Sequence, residues 1–90
     1  MFEYDFSEGL KVKIKKLIKK DKKKAEIVYK KVKEIISNDI ETIKRYKNLR
    51  YDLSELKRVH IDKSFVLTFK VDIANNFILF WDFDHHDNVY

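Results

Sequence analysis

Three histidines are the residues of this 90-residue chain best suited to move protons near neutral pH. His60 lies in an alternating stretch two positions after Arg58, and His85 and His86 stand together between acids near the end of the sequence. An imidazole can give or take a proton, and a nearby cation can neutralise a phosphate. This combination suits transesterification of a phosphodiester, in which a ribose 2′-OH attacks the neighbouring phosphate. His60 and His86 are the candidates for removing the 2′ proton and protonating the 5′ leaving oxygen.

Further cations, acids and a phenol are expected around these histidines. Lys47 or Lys63 could assist Arg58 at the phosphate, and the phenol of Tyr90 could stack on a base or donate a hydrogen bond. The D-H-H-D run at 84–87 also permits a divalent metal site through imidazole and carboxylate. Because adjacent strand residues point to opposite faces, only alternate members of that run could share one ion. A solvated surface pair is the plainest alternative for the two adjacent histidines.

Hydrophobic periodicity predicts the elements that must position these side chains. Residues 2–6 alternate apolar and acidic side chains, which is typical of a short strand. Ser7 and Asp21 are suitable N-caps for two helices, each with one apolar stripe and a lysine-rich back. The second helix is interrupted at 37–39 and continues briefly around 40–43. The first half of the chain is therefore predicted to be a strand followed by a helical hairpin.

The second half alternates with a period of two, which predicts three further strands joined by short connections. The strands begin near three apolar residues: Leu56, Phe65 and Phe77. In an antiparallel meander, we expect the end of the last strand to lie near the start of the first of the three. His60 and His86 would then meet on the sheet face that the helices leave uncovered. The predicted class is α+β, with an N-terminal strand and a helical hairpin packed on one face of a small, mainly antiparallel twisted sheet.

Strict alternation along the last predicted strand assigns its side chains to two faces. Phe80, Asp82 and Asp84 fall on one face, and Trp81 and Phe83 fall on the other. The start of this strand is apolar on both faces, which favours a central position in the sheet. The three aromatic residues are therefore expected to belong to the core rather than to a platform for stacking bases.

Positive charge is concentrated in the first half of the chain. The net charge is +5, with +6 in residues 1–45 and −1 in residues 46–90, and nine lysines lie within 11–24. Such a run can be the solvated back of a helix, or it can attract a nucleic acid. Four lysines are predicted to dock RNA: Lys15, Lys16, Lys19 and Lys20. We expect the run to lie too far from His60, on the opposite side of the sheet, to reach a scissile phosphate.

Composition excludes several classes of protein. Cysteine is absent, so the chain has no disulfide or thiolate metal site. No stretch approaches about 18 consecutive apolar residues, as a membrane helix requires. The first residues carry acids where a signal peptide needs positive charge. A cytoplasmic single domain spanning 1–90, with no cofactor, metal or membrane partner, is the expectation.

The order of these predicted elements resembles the RelE/ParE superfamily of bacterial and archaeal toxins. The stretch from Tyr46 to Lys70, YKNLRYDLSELKRVHIDKSFVLTFK, is similar to the run in the RelE and YafQ branches where a basic, often His-containing strand precedes an alternating strand. The tail H-D-N-V-Y at 86–90 resembles their closing pattern of a histidine followed by an apolar residue and an aromatic. With the matching architecture, the resemblance covers nearly the whole chain.

The resemblance implies a metal-independent endoribonuclease that cleaves mRNA in the ribosomal A site. It also implies a small, acidic, helical RelB-like antitoxin that holds the toxin in a hetero-oligomer. His60 and His86 would be the acid–base pair, Arg58 a phosphate contact, and Tyr90 the terminal aromatic that orients the base. Cations of the second half are further candidates for RNA contacts: Lys47, Arg50 and Lys63.

The chain departs from the family pattern at several positions. Many relatives carry an arginine on the last strand, where this chain has Asp82 and Asp84. Val66 stands where some relatives place a transition-state arginine, and Lys47 aligns with an upstream histidine of the YafQ branch. The transition-state charge would then rest on Arg58, Lys47 or Lys63. A ParE-like toxin acting on DNA gyrase, an inactive homologue that only binds its partner, and a generic RNA-binding module are the alternatives.

Overall fold

The computed structural model describes residues 1–49, 55–85 and 87 and has an α+β fold. In chain order its elements are β1 (Glu3–Phe6), α1 (Glu8–Lys20), α2 (Lys22–Ile36), α3 (Ile40–Ile43), β2 (Lys57–Ile61), β3 (Phe65–Asp72) and β4 (Phe77–His85). The predicted order of a strand, a helical hairpin with a short continuation and three strands is confirmed.

Both long helices begin at the side-chain caps that their sequences predict. The Ser7 hydroxyl accepts a hydrogen bond from the Leu10 N–H at 3.1 Å, and the Asp21 carboxylate accepts one from the Lys24 N–H at 3.1 Å. Each cap satisfies a backbone donor that has no partner within its own helix. The two caps therefore fix where α1 and α2 start.

The four strands form one mixed sheet in the order β1–β4–β3–β2. β1 runs parallel to β4, while β4, β3 and β2 form an antiparallel meander. The start of β4 is central, as its two apolar faces predict. Because β1 pairs only with residues 77–80, the second half of β4 has one edge that no described strand covers.

The core lies between the helical hairpin and one face of the sheet. Its fully buried side chains come from the apolar stripes of the helices and from alternate strand positions: Leu10, Val28, Ile35, Leu67, Phe69, Ile78 and Phe80. Burial of such side chains is the main favourable term in folding. The opposite sheet face carries Arg58 and His60 on β2 beside two buried residues of β3, Val66 and Thr68.

A β-bulge in β4 breaks the alternation on which the predicted face assignment depends. Phe69 pairs with Phe80, whereas its neighbour Thr68 pairs with Asp82, so Trp81 is an extra residue in β4. The Thr68 hydroxyl donates a hydrogen bond to the Asp82 carbonyl at 3.2 Å. A bulge shifts every later residue of its strand by one position relative to the alternation before it.

The predicted grouping of Phe80 with Asp82 and Asp84, and of Trp81 with Phe83, is therefore wrong. Phe83 is buried in the same core as Phe80, and the two acids fall on the other face. Trp81, expected in the core, is 50% exposed.

The position predicted for the end of the last strand also needs correction. His85 pairs with Phe65, and Phe65 pairs with Ile61, so β4 ends level with the end of β2 rather than its start. The first and third strands of a meander point the same way, which explains the difference. His60 immediately precedes Ile61 and thus still lies close to the end of β4.

Ser7 connects the start of α1 to the uncovered edge of β4, and its removal should destabilise the protein. Besides capping Leu10, its hydroxyl donates a hydrogen bond to the Trp81 carbonyl. Because Ser7→Ala deletes both bonds, we expect the free energy of unfolding to fall by about 2 kcal/mol. Urea denaturation measures this change. The control is Ser37→Ala, which removes an exposed hydroxyl bonded to the Lys33 carbonyl of its own helix; equal losses in the two variants would contradict the role of Ser7.

Candidate active site

The sheet face opposite the helices brings together polar side chains from three strands. Paired residues on neighbouring strands present their side chains side by side on one face. Two cross-strand rows define the candidate site: Arg58–Thr68–Asp82 and His60–Val66–Asp84. Since neighbouring strands lie about 4.8 Å apart, the two ends of each row are separated by about 10 Å.

The β2 end of the site carries the predicted cations. The Arg58 N–H donates to the Lys47 carbonyl at 2.8 Å, and Asn48 forms an antiparallel bridge with Lys57. This register places Lys47 opposite Arg58, so Lys47 extends the first row. Lys63 is exposed in the turn that follows β2. The structure therefore brings Lys47 beside Arg58, with Lys63 at the end of the strand that carries both Arg58 and His60.

His60 and Arg58 are available to a ligand. The His60 side chain is exposed and that of Arg58 is half-buried. Within residues 1–49, 55–85 and 87, no side chain forms a hydrogen bond or an ion pair with the imidazole or the guanidinium. A proton-transfer group and a cation thus stand two residues apart on one strand and share a face.

The β4 end of the site is acidic, and Lys13 of α1 compensates it. Lys13 Nζ lies 2.7 Å from Asp82 Oδ1 and 3.7 Å from Asp84 Oδ2, and it donates to the Phe83 carbonyl at 3.3 Å. Partial burial opposes the charged form, but the two carboxylates outweigh it and raise the pKa of Lys13. Lys13 therefore reaches from α1 to the acids at the β4 end of both rows.

The same two acids close the uncovered edge of β4. The Phe83 N–H donates to the Asp82 carboxylate at 2.9 Å, and the His85 N–H donates to the Asp84 carboxylate at 2.8 Å. Unpaired edge groups are a template for unwanted pairing with another strand. These contacts give Asp82 and Asp84 a structural role at positions where the resemblance would place arginine.

His85 lies on the other face of the sheet from His60. Its ring meets the edge of Phe65 at 5.6 Å, and Phe65 stacks on the core residue Phe83 at 5.1 Å. Its Nδ1 accepts a hydrogen bond from the Asp87 N–H at 3.3 Å. His85 is therefore a matched control for His60 rather than its partner.

Several predicted residues lie outside the described part of the chain or away from the site. Arg50, His86 and Tyr90 lie outside residues 1–49, 55–85 and 87. The four lysines predicted to dock RNA are exposed on α1, on the helix side of the sheet: Lys15, Lys16, Lys19 and Lys20.

The D-H-H-D run is only partly described, because it includes His86. Its members Asp84 and His85 point to opposite faces of β4. In the described part of the chain, no three histidine, cysteine or acidic side chains are grouped as a metal ion would require. The helices described here are all too short or too polar to cross a membrane.

Trp81 also lies on this face, although the sequence pattern predicted that it belongs to the core. Alternation from buried Phe80 on one side and from buried Phe83 on the other places both Trp81 and Asp82 opposite the core. Two successive residues on one face are a mark of a bulge. The apolar run FILFW gave no local signal of this, so the exposure of Trp81 became visible only with the register between β3 and β4.

The chain is similar to proteins from two archaea. It is 50% identical over 90 residues to a protein of Methanocaldococcus jannaschii named "Putative toxin RelE4", covering 100% of this chain and 92% of that one. It is 47% identical over 78 residues to an uncharacterized protein of Methanosarcina mazei, covering 87% of this chain and 86% of the relative. No protein-family model matches the chain.

The fold is also that of a solved toxin structure. The crystal structure of the toxin–antitoxin complex RelBE2 from Mycobacterium tuberculosis contains a chain that aligns with a TM-score of 0.61, at 17% identity. The alignment covers 93% of this chain and 96% of the other. The architecture is thus a RelE-like fold. With the full-length identity to the Methanocaldococcus protein, this chain belongs to the RelE family of toxins.

Proposed function

We propose that the protein is the toxin of a type II toxin–antitoxin system and that it cleaves mRNA in the A site of the ribosome. The reaction is a metal-independent acid–base transesterification, and it takes place in the cytoplasm, where translating ribosomes are found. The observation that carries the proposal is the placement of exposed His60 beside Arg58 and Lys47 on the sheet face without helices. Membership of the RelE family supports it.

In the proposed reaction, the 2′ oxygen forms a bond to phosphorus while the bond from phosphorus to the 5′ oxygen breaks. One group takes the 2′ proton and another gives a proton to the departing 5′ oxygen. We assign these two roles to His60 and His86. Arg58 neutralises the charge that grows on the phosphate, and Tyr90 orients a base.

The charge distribution favours the β2 end of the site for the phosphate. Arg58 and Lys47 are paired across the strand edge there, and Lys63 follows in the next turn. At the β4 end, Asp82 and Asp84 would repel a phosphate, although Lys13 balances part of their charge. Arg58, Lys47 and Lys63 would therefore supply the charge that an arginine on the last strand supplies in many relatives.

We further propose a small, acidic, helical RelB-like antitoxin as the partner in a hetero-oligomer, as the RelBE2 complex suggests. A groove of about 350 Å³ between β1, α1 and α2 suits the apolar face of such a helix. Its apolar lining comes from Phe6, Val12, Ile14, Ile18 and Tyr29, and its charged lining comes from Glu8, Lys11 and Lys15. Lys15 would complement the acids of the partner, whereas Lys11 is already paired with Asp5 and Glu8.

A non-catalytic interaction toxin is the second candidate, and the two acids on the site face favour it. Purified protein added to ribosomes carrying a defined mRNA separates the two functions. We expect cuts at the A-site codon with ribosomes and none in free mRNA. Growth arrest by the protein in cells, together with intact mRNA on purified ribosomes, would support the interaction toxin instead.

Reversing the charge of the α1 lysines should weaken ribosome binding. Each phosphate contact that is lost should flatten the slope of log affinity against log salt concentration by about 0.7–0.9. The variant carries glutamate at Lys15, Lys16, Lys19 and Lys20. We expect little change in cleavage at saturating ribosome, because contacts that only position the protein leave bond breaking unaffected.

Binding of this variant is measured at several salt concentrations beside a control with the same change of net charge. The control reverses four exposed lysines elsewhere: Lys23, Lys30, Lys33 and Lys44. Equal slopes for the two variants would show that α1 has no special role and would shift RNA docking to the central region around Lys47 and Arg50.

A further inference from the structure

Trp81 differs from the other exposed aromatic residues of the described chain. Tyr4 and Tyr29 are 45% and 39% exposed, but each packs its ring against Phe6. Trp81 is 50% exposed, and no aromatic ring among residues 1–49, 55–85 and 87 packs against its indole. Its side chain therefore contributes an open aromatic surface.

The position of this open surface is the second observation. The bulge sets Trp81 next to Asp82, at the β4 end of the row that begins with Arg58. Bulges are frequent beside active sites, where they redirect a side chain. Here the bulge turns an indole out of an otherwise aromatic core strand and onto the face that carries His60.

We propose that Trp81 is the stacking platform for a base of the bound RNA, next to the phosphate that is cleaved. This inference rests on the proposed function and adds a base-positioning residue to it. Single-stranded RNA is commonly held by stacking its splayed bases on aromatic side chains. With the phosphate at Arg58, about 10 Å away across two strand spacings, the base end of the site falls at Trp81.

The charges around the indole suit a base better than a phosphate. Asp82 lies beside Trp81 and would repel a phosphate, whereas its ion pair with Lys13 limits the negative field. The amino groups on the edges of bases can donate to carboxylates, so an acid at this place is compatible with a stacked base. The cationic end of the site would thus contact the phosphate of a nucleotide, and the aromatic end would contact its base.

The test uses the fluorescence of the protein itself, because Trp81 is the only tryptophan of the chain. The probe is a short 2′-O-methyl oligonucleotide, which lacks the nucleophilic hydroxyl and cannot be cleaved by this chemistry. We expect binding to quench the emission of the intact protein. Moving a single abasic position along the oligonucleotide should abolish the quench at one place, which identifies the stacked base.

Variants compared by the anisotropy of a labelled oligonucleotide complete the experiment. Trp81→Leu should weaken binding about 5- to 150-fold, the range of a lost base–aromatic stack, and Trp81→Phe should restore most of the affinity. On programmed ribosomes, Trp81→Leu should raise KM more than it lowers kcat. Tyr4→Leu, which changes an exposed aromatic on the edge strand β1, is the control and should bind as the parent does.

The outcomes separate this inference from the proposed function. If Trp81→Leu binds and cleaves like the parent, or loses only its affinity for the antitoxin, the stacking role is wrong even though cleavage persists. If the parent does not cleave on ribosomes, the proposed function fails. Weaker binding by Trp81→Leu, together with a quench that is lost at one abasic position, would support the stacking role whether or not the parent cleaves mRNA on ribosomes.

Discussion

His60→Ala is expected to slow mRNA cleavage by about 10²–10⁴-fold, the usual contribution of a positioned acid or base. His60 is exposed on β2, so its truncation leaves no cavity in the core and the fold should persist. Single-turnover cleavage on programmed ribosomes measures the chemical step apart from binding. His86→Ala should have a loss of similar size, because we assign it the second proton transfer.

His85→Ala is the matched control for this experiment. His85 is next to His86 in sequence, and its ring packs on Phe65 at the sheet face opposite His60. We therefore expect His85→Ala to cleave at nearly the parental rate. A parental rate in His60→Ala, or a larger loss in His85→Ala, would refute the assignment of acid–base catalysis to the face that carries His60.

Arg58→Gln is expected to lower the cleavage rate by about 10²–10³-fold, as the loss of one group that stabilises the transition state commonly does. Arg58 is the cation of the first row nearest to His60 on the same strand. Lys47, opposite Arg58, would supply part of the missing charge, so the variant should retain some cleavage activity. The cleavage rate of Arg58→Lys should fall between those of the parent and Arg58→Gln, since lysine keeps the charge but loses the bidentate geometry.

Lys70→Gln controls for the general removal of a cation from this face. Lys70 lies on β3 two residues beyond Thr68, so it shares the face, and it forms an ion pair with Glu55 at 3.7 Å. It stands outside both rows of the candidate site. Equal rates for Arg58→Gln and Lys70→Gln would mean that Arg58 acts through the overall field and makes no specific phosphate contact.

The elements of this fold could be predicted because their signals are local. The apolar stripe of α1, the caps Ser7 and Asp21, and the period of two from Leu56 onward each depend on residues within a few positions of one another. The spacing of Arg58 and His60, two positions apart in an alternating stretch, is a signal of the same kind and places both on one face of β2. These features gave the α+β class and one half of the candidate site.

The other half of the site depends on contacts between residues distant in sequence. The bulge at Trp81 is defined by the register between β3 and β4, and no residue type within FILFWDF marks it. The ion pair of Lys13 with Asp82 joins residues 69 positions apart. Neither periodicity nor charge counting could reveal that a lysine of α1 reaches the sheet edge, or that a tryptophan leaves the core.

The chemistry of the cut ends tests the central proposal most directly. mRNA cleaved on programmed ribosomes by the purified protein is analysed at both new termini. Attack by the neighbouring 2′-OH predicts a 2′,3′-cyclic phosphate on the upstream fragment and a 5′-hydroxyl on the downstream fragment. A 5′-phosphate on the downstream fragment would contradict the proposal, because it requires water rather than the ribose hydroxyl as the nucleophile.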